Sequence, residues 1–180
     1  MSNKINSTVK ETEQKELVIT RIFDAPRELV WKAWTEPERL ARWWGPKSFP
    51  ITVNKLYLRP GGIFHYSMQA SPDNVWWGRF VYQEVIPPEK LVFISSFSDE
   101  QCGVTRHPLS STWPLETLTI LTLSEENGKT LLTLRGYPIN ASEEERTTFE
   151  SNFTSVQQGF KGTFEQLDEY LSTITKGSIK

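Results

Sequence analysis

Seven apolar residues near the C-terminus constrain this chain most. Phe149, Phe153, Val156, Phe160, Phe164, Leu167 and Leu171 step by three or four, the spacing that puts side chains on one face of an α-helix. Ser142 and Glu145 stand ahead of them at capping-box spacing. The pattern predicts one continuous helix, roughly 45 Å long if it runs about thirty residues at ~1.5 Å each. Glu143, Glu144 and Glu145 complement its dipole, and Lys161, Glu165, Asp168 and Glu169 form its solvent face. Four residues of the stripe are Phe, wide knobs that need an apolar surface, and the inner face of a sheet is the surface on offer.

The strands for that sheet lie in the middle of the chain. "FPITVNKLYL", "IFHYSMQA", "VWWGRFVYQEVI", "LVFISSF", "LETLTILTL" and "TLLTLRGY" are β-rich runs. Turns separate most of them: "RPGG", "SPDN", "PPEK" and "SEENGK", the last with an Asn127-Gly128 hairpin signal. Close spacing argues for an antiparallel meander. In "IFHYSMQA", Phe64, Tyr66 and Met68 share one face, and Ile63, His65 and Ser67 the other. Residues 98–114 have weak periodicity and read as a long loop, of the kind that often forms a lid or binding element.

Ahead of the meander, "ELVITRIF" reads as a strand. Asp24 with Pro26 predicts the start of a short helix, and "TEPE" (Thr35 to Glu38) the capping box of a second. The second helix carries Leu40, Trp43 and Trp44 and stops at Gly45-Pro46. Adjacent helical residues point about 100° apart, so one core surface cannot easily take both rings of "RWWGP". One ring is expected to face the core and the other an opening. The order is strand, two short helices, about six strands, then a long helix: an α+β arrangement with a curved antiparallel sheet gripping the C-terminal helix. Residues 1–15 read as a polar tail, 16–173 as one domain and 174–180 as a second tail.

Composition excludes several classes. Formal net charge is -2 with the cations dispersed, so no footprint for nucleic acid appears. No apolar run approaches the ~20 residues of a membrane span, and the polar N-terminus lacks a signal-peptide centre; the expected location is the cytoplasm. Cys102, the sole cysteine, excludes an internal disulfide and a multi-cysteine zinc site. His65 and His107 are the only histidines. Nothing around Cys102 and His107 sets them up as a catalytic pair. No catalytic residue, cofactor or metal ligand is assigned.

What stands out is the aromatic content, seven Trp, ten Phe and five Tyr, on faces that should converge. A ligand cavity is expected from Trp34, Trp43, Trp44, Phe64, Tyr66, Met68, Trp76, Phe93, Trp113, Phe153, Gln157 and Phe160. Tyr66 shares its face with apolar side chains and is the candidate polar group inside; Arg79 and Arg135 are expected on a solvated outer face. Such sites are typically apolar with a few convergent polar groups.

"VITRIFDAPRELVWKAWTEPERLARWWGP" resembles the opening of the START-like (SRPBCC) superfamily, in the branch named after the activator of heat-shock-protein-90 ATPase. "LRPGGIFHYSM", "EVIPPEKLVF", "GKTLLTLRGYPINASEEER" and "GFKGTFEQLDEYL" resemble that branch's later signatures, in order, over about Glu16 to Leu171. The resemblance implies a helix-grip (START/Bet v 1-like) fold of about seven strands enclosing a hydrophobic cavity. Members bind lipids, polyketides and other apolar molecules, some catalyse cyclisation or dehydration, and the namesakes are co-chaperones with an additional N-terminal domain. Phe160 stands where the pattern has Trp, and Phe153 where a more polar residue is frequent, which implies a more apolar interior. The expected function is therefore binding of a small apolar or aromatic, lipid- or polyketide-like ligand. The alternatives are a cyclase- or dehydratase-type enzyme using Tyr66 or a strand Arg on a carbonyl, and a chaperone-interaction module. A homodimer is compatible with all three.

Overall fold

Inward and outward side chains alternate along nearly every strand of a computed structural model that describes residues 15–177. The elements are β1 (Leu17–Phe23), α1 (Arg27–Thr35), α2 (Pro37–Trp43), β2 (Ile51–Leu56), β3 (Ile63–Ser71), β4 (Asn74–Ile86), β5 (Lys90–Ser98), β6 (Val104–Thr105), β7 (Glu116–Glu126), β8 (Lys129–Ile139), α3 (Glu143–Ser151) and α4 (Phe153–Gly177). One antiparallel sheet runs β1-β8-β7-β5-β4-β3-β2, with β6 added beside the end of β5. Phe64, Phe80, Phe93, Leu121 and Leu132 mark its inner face, and Phe164, Leu167 and Leu171 of α4 lie in the same core. This is the helix-grip arrangement. Asn127 and Gly128 both take positive φ at the β7–β8 turn, as a tight hairpin requires.

The C-terminal stripe is interrupted. Ser142 and Glu145 do form a reciprocal capping box, but the helix stops at Ser151 and restarts at Phe153. Asn152 N–H bonds to Phe149 O at 3.1 Å, three residues back, and its side chain donates to Thr148 O at 2.7 Å. Thr147, Thr148 and Ser151 hydroxyls likewise donate to carbonyls four residues back. Such back-bonding competes with the helical ladder and bends it. α4 then runs to Gly177, so residues 174–177 are helix rather than tail, and Ile174 packs on the core. Residues 178–180 lie outside the described residues, as does the expected N-terminal tail apart from Lys15.

Two helix starts also differ from expectation. Pro26, not Asp24, precedes α1, without a side-chain cap; Glu125 of β7 accepts the Arg27 N–H at 2.7 Å instead. Thr35 ends α1, its hydroxyl donating to Trp31 O at 2.8 Å, so Glu36 takes the cap position of α2. Asp168 is not purely a solvent residue, because it pairs with Arg21 of β1 and ties the sheet edge to α4. Among the described residues, no helix is long and apolar enough to cross a membrane.

Candidate ligand cavity

Inner-face side chains change size along the strands. Toward one end of β4, β5, β7 and β8 they are Tyr82, Leu91, Leu121, Leu123 and Leu132, all buried. Toward the other they are Gly78, Ser95, Thr117, Thr119 and Gly136. Register gathers the small ones: Ser95 is opposite Thr117, and Thr119 opposite Gly136. Backbone spacing is fixed by the ladder, so small side chains on adjacent strands leave a hollow. That hollow measures about 160 Å³. Tyr66, Phe80, Phe93 and Leu134 form its buried floor, while the partly exposed Phe97, Trp113 and Phe160 stand toward solvent.

Trp44 supplies one wall. α2 ends at Trp43, and Trp44 leaves the helix with extended backbone. Gly45 O then accepts from Thr163 Oγ1 at 3.1 Å and Gln166 Nε2 at 2.8 Å, fastening the turn to α4. Trp43 points into the core, 1% exposed, its indole N–H donating to Ala33 O at 3.0 Å. Trp44 turns the other way and meets Phe80 edge-on at 5.4 Å and Phe160 at 6.3 Å.

Tyr66 is the polar feature of the floor. Its ring stacks on Phe64 at 4.8 Å and lies over Gly78, where a Cβ would come within 2.5 Å of Cζ and the hydroxyl. Only glycine leaves that space open, so the phenol reaches over β4. Burial pushes its pKa up to about 12, slightly offset by the Trp44 indole; at neutral pH it remains a protonated donor. The Trp44 indole N–H itself has no partner in hydrogen-bonding geometry. The remaining polar lining side chains are Ser95, Ser96, Thr117, Thr119 and, through its indole N–H, Trp113, and none of the lining residues bears a carboxylate, imidazole, guanidinium or amine. Among the described residues, no cluster of metal-ligating side chains occurs.

The structure divides the twelve candidates. Trp44, Tyr66, Met68, Phe93, Trp113 and Phe160 line the cavity. Trp34, Trp43 and Phe64 do not line it but pack directly behind its wall, the first two against Trp44 and Phe64 against Tyr66 and Phe80. Trp76 packs against Phe49 and Phe97, and Phe153 against Phe149. Gln157 is exposed and borders a separate surface hollow beside β1. Sequence reasoning followed the large rings and missed Phe80, Phe97 and the small residues that make room for a cavity. The signal lay in alternate positions switching from Leu to Thr or Gly along paired strands.

Residues 98–114 are well organised. β6 pairs with β5, Asp99 accepts the Gly103 N–H at 2.8 Å, and Arg79 donates to Cys102 O at 2.7 Å. His65 lies beneath this loop, stacked on Trp77, with Nε2 donating to Asp99 O at 3.0 Å. Burial lowers its pKa. His65 and Arg79 are thus on the outer face but covered rather than solvated, whereas Arg135 is exposed and paired with Glu16. Farther along, Arg106 pairs with Glu145 of the capping box, and the Thr112 and Thr148 hydroxyls are hydrogen-bonded to each other at 2.9 Å. These contacts hold Trp113 against Phe149 and over the cavity.

The family model described as activator of Hsp90 ATPase homolog 1-like protein matches residues 24–172. Protein Ms6760 from Mycobacterium smegmatis is 27% identical over 88% of this chain and 92% of its own, with a TM-score of 0.69. A protein from Arthrobacter aurescens, solved by NMR, is 25% identical over 94% and 93%, with a TM-score of 0.74. CalU16 from Micromonospora echinospora is 24% identical over 91% and 80%, TM-score 0.58, a likeness of fold. No curated protein matches the chain.

Proposed function

Because the chain belongs to the activator of Hsp90 ATPase homolog 1-like family and has a START-like helix-grip fold, we propose that it binds a small apolar or aromatic molecule between the sheet and α4. The observation that carries this reading is a ring-walled hollow where inner-face side chains of β4, β5, β7 and β8 shrink. Apolar ligands gain from leaving water, and aromatic ligands also gain from edge-on contacts with Trp44, Phe80 and Phe160.

Binding is favoured over acid–base turnover by the lining itself. Tyr66 is the one ionisable side chain on the wall, and burial keeps it protonated. General acid–base chemistry works best with a group poised near the operating pH. A lipid or polyketide exceeds a volume of about 160 Å³, so such a ligand requires Trp113 and its loop to move aside. Native mass spectrometry of freshly purified protein tests the proposal. A stoichiometric co-purifying apolar molecule, lost on Phe93→Trp substitution, supports it. Its retention in that variant places it elsewhere on the protein and removes the proposal.

A further inference from the structure

We infer that Tyr66 and Gly78 together set what the cavity takes: one neutral aromatic ring carrying a hydrogen-bond acceptor, such as a ketone or aldehyde oxygen. This rests on reading the cavity as a ligand site, and adds size, charge and polarity to it.

Size follows from volume. A dry cavity of about 150 Å³ holds a benzene ring, and this one measures about 160 Å³. A second fused ring would have to displace either Trp113 on the solvent side or Tyr66, which is held on both sides. Phe64 stacks on its ring, and the backbone of Gly78 lies beneath it. Bare backbone at residue 78 lets the phenol reach across β4, and the same close contact stops it from sinking deeper.

Charge follows from the wall. None of the lining side chains is a cation, so a bound carboxylate would lose hydration with nothing to replace it. Polarity follows from partners. Ser95 has an acceptor in Thr117 O, at 3.5 Å. The Tyr66 hydroxyl lies over Gly78 on the cavity wall, protonated at neutral pH, and the Trp44 indole N–H beside it is a buried donor without a partner. A ligand that displaces water from the cavity has to offer these donors an acceptor or leave them unpaired, which is costly. A carbonyl accepts without needing an acceptor in return, and so fits a donor wall better than a hydroxyl or amine.

Calorimetric titration of the full chain with acetophenone, ethylbenzene, benzoate and 2-acetonaphthone tests all three elements. Wild type is expected to bind acetophenone and ethylbenzene, with benzoate and 2-acetonaphthone at least tenfold weaker than acetophenone. Tyr66→Phe keeps the ring and removes the donor. It should weaken acetophenone about 3–10-fold, the scale of one hydrogen bond, and leave ethylbenzene within about twofold. Tyr66→Ala removes the ring and should admit 2-acetonaphthone. If Tyr66→Phe leaves the acetophenone-to-ethylbenzene ratio unchanged, the acceptor assignment is overturned. Wild-type binding of benzoate or 2-acetonaphthone as tight as acetophenone overturns the charge or size assignment. If neither single-ring probe binds, the cavity reading itself fails, and the inference with it. Tyr66→Phe is conservative enough to decide the question even if Tyr66→Ala does not fold.

Discussion

Trp43 and Trp44 adjoin in sequence and their rings meet edge-on at 5.6 Å, yet Trp44 borders the cavity and Trp43 does not. Trp43 meets the rings of Trp34 and Trp44, and Trp34 in turn meets Phe164, within a core that also holds Leu40 and Leu167. Trp44 meets more rings, Tyr66, Phe80 and Phe160 among them, but these face Gly78, Ser95, Thr117 and Thr119 and leave a hollow. Aromatic content is therefore a poor guide to where a cavity lies. What differs is the size of the side chains opposite, set by strand register.

Truncation at the two sites should break the symmetry of the pair. Trp43→Ala deletes a fully buried ring and its hydrogen bond, and is expected to cost about 3–5 kcal/mol by chemical denaturation. Trp44→Ala should cost clearly less, since its ring already borders a void, while enlarging the cavity. Equal losses would mean that the two ends are packed alike.

The next effect comes from pH. Tyr66 titrates near 10 when unfolded and at about 12 when folded. Between those values the unfolded chain has lost a proton that the folded one keeps, so stability is intact below pH 10 and declines as pH rises. The two-unit gap corresponds to about 3 kcal/mol. Burial also raises Tyr82, so Tyr66→Phe should remove only part of the alkaline loss. An identical alkaline limb in wild type and variant would show that Tyr66 is more solvated than its packing implies.

Gly78→Ala sharpens the comparison from the cavity side. A methyl group aimed at the Tyr66 ring forces a shift, and overpacking of this kind costs about 1–3 kcal/mol. Equilibrium unfolding should show that loss, whereas Gly128→Ala, in an open turn, reports only the strain of its positive φ. The smallest effect is expected at the edge. Asp168→Asn removes a half-exposed partner of Arg21, and thermal denaturation should register under about 1 kcal/mol, shrinking with salt.

The fold was legible because its signals are periodic. The stripe on α4, the period-two faces of β3 and the Asn-Gly hairpin each follow from local geometry, and ordered family motifs agree with them. Where expectation failed, hydroxyl and amide side chains competed with backbone. Asn152 divides the stripe, and Thr35 bonds backward instead of capping α2. The cavity was only half legible, for a different reason. Its volume arises where Thr119 meets Gly136 across a ladder, and that pairing depends on register between strands. Rings such as Trp34 and Trp44 look alike until it is known.

Backbone and indole NMR spectra of the protein titrated with ethylbenzene test the central claim most directly. The expected result is saturable shifts at Gly78, Leu134 and the Trp44 and Trp113 indole N–H groups, with smaller shifts at Trp34 and Trp43, which pack behind Trp44. Shifts that fail to saturate, or that fall on Trp34 and Trp43 as strongly as on Trp44 and Trp113, would contradict a ligand cavity at the Trp44 end.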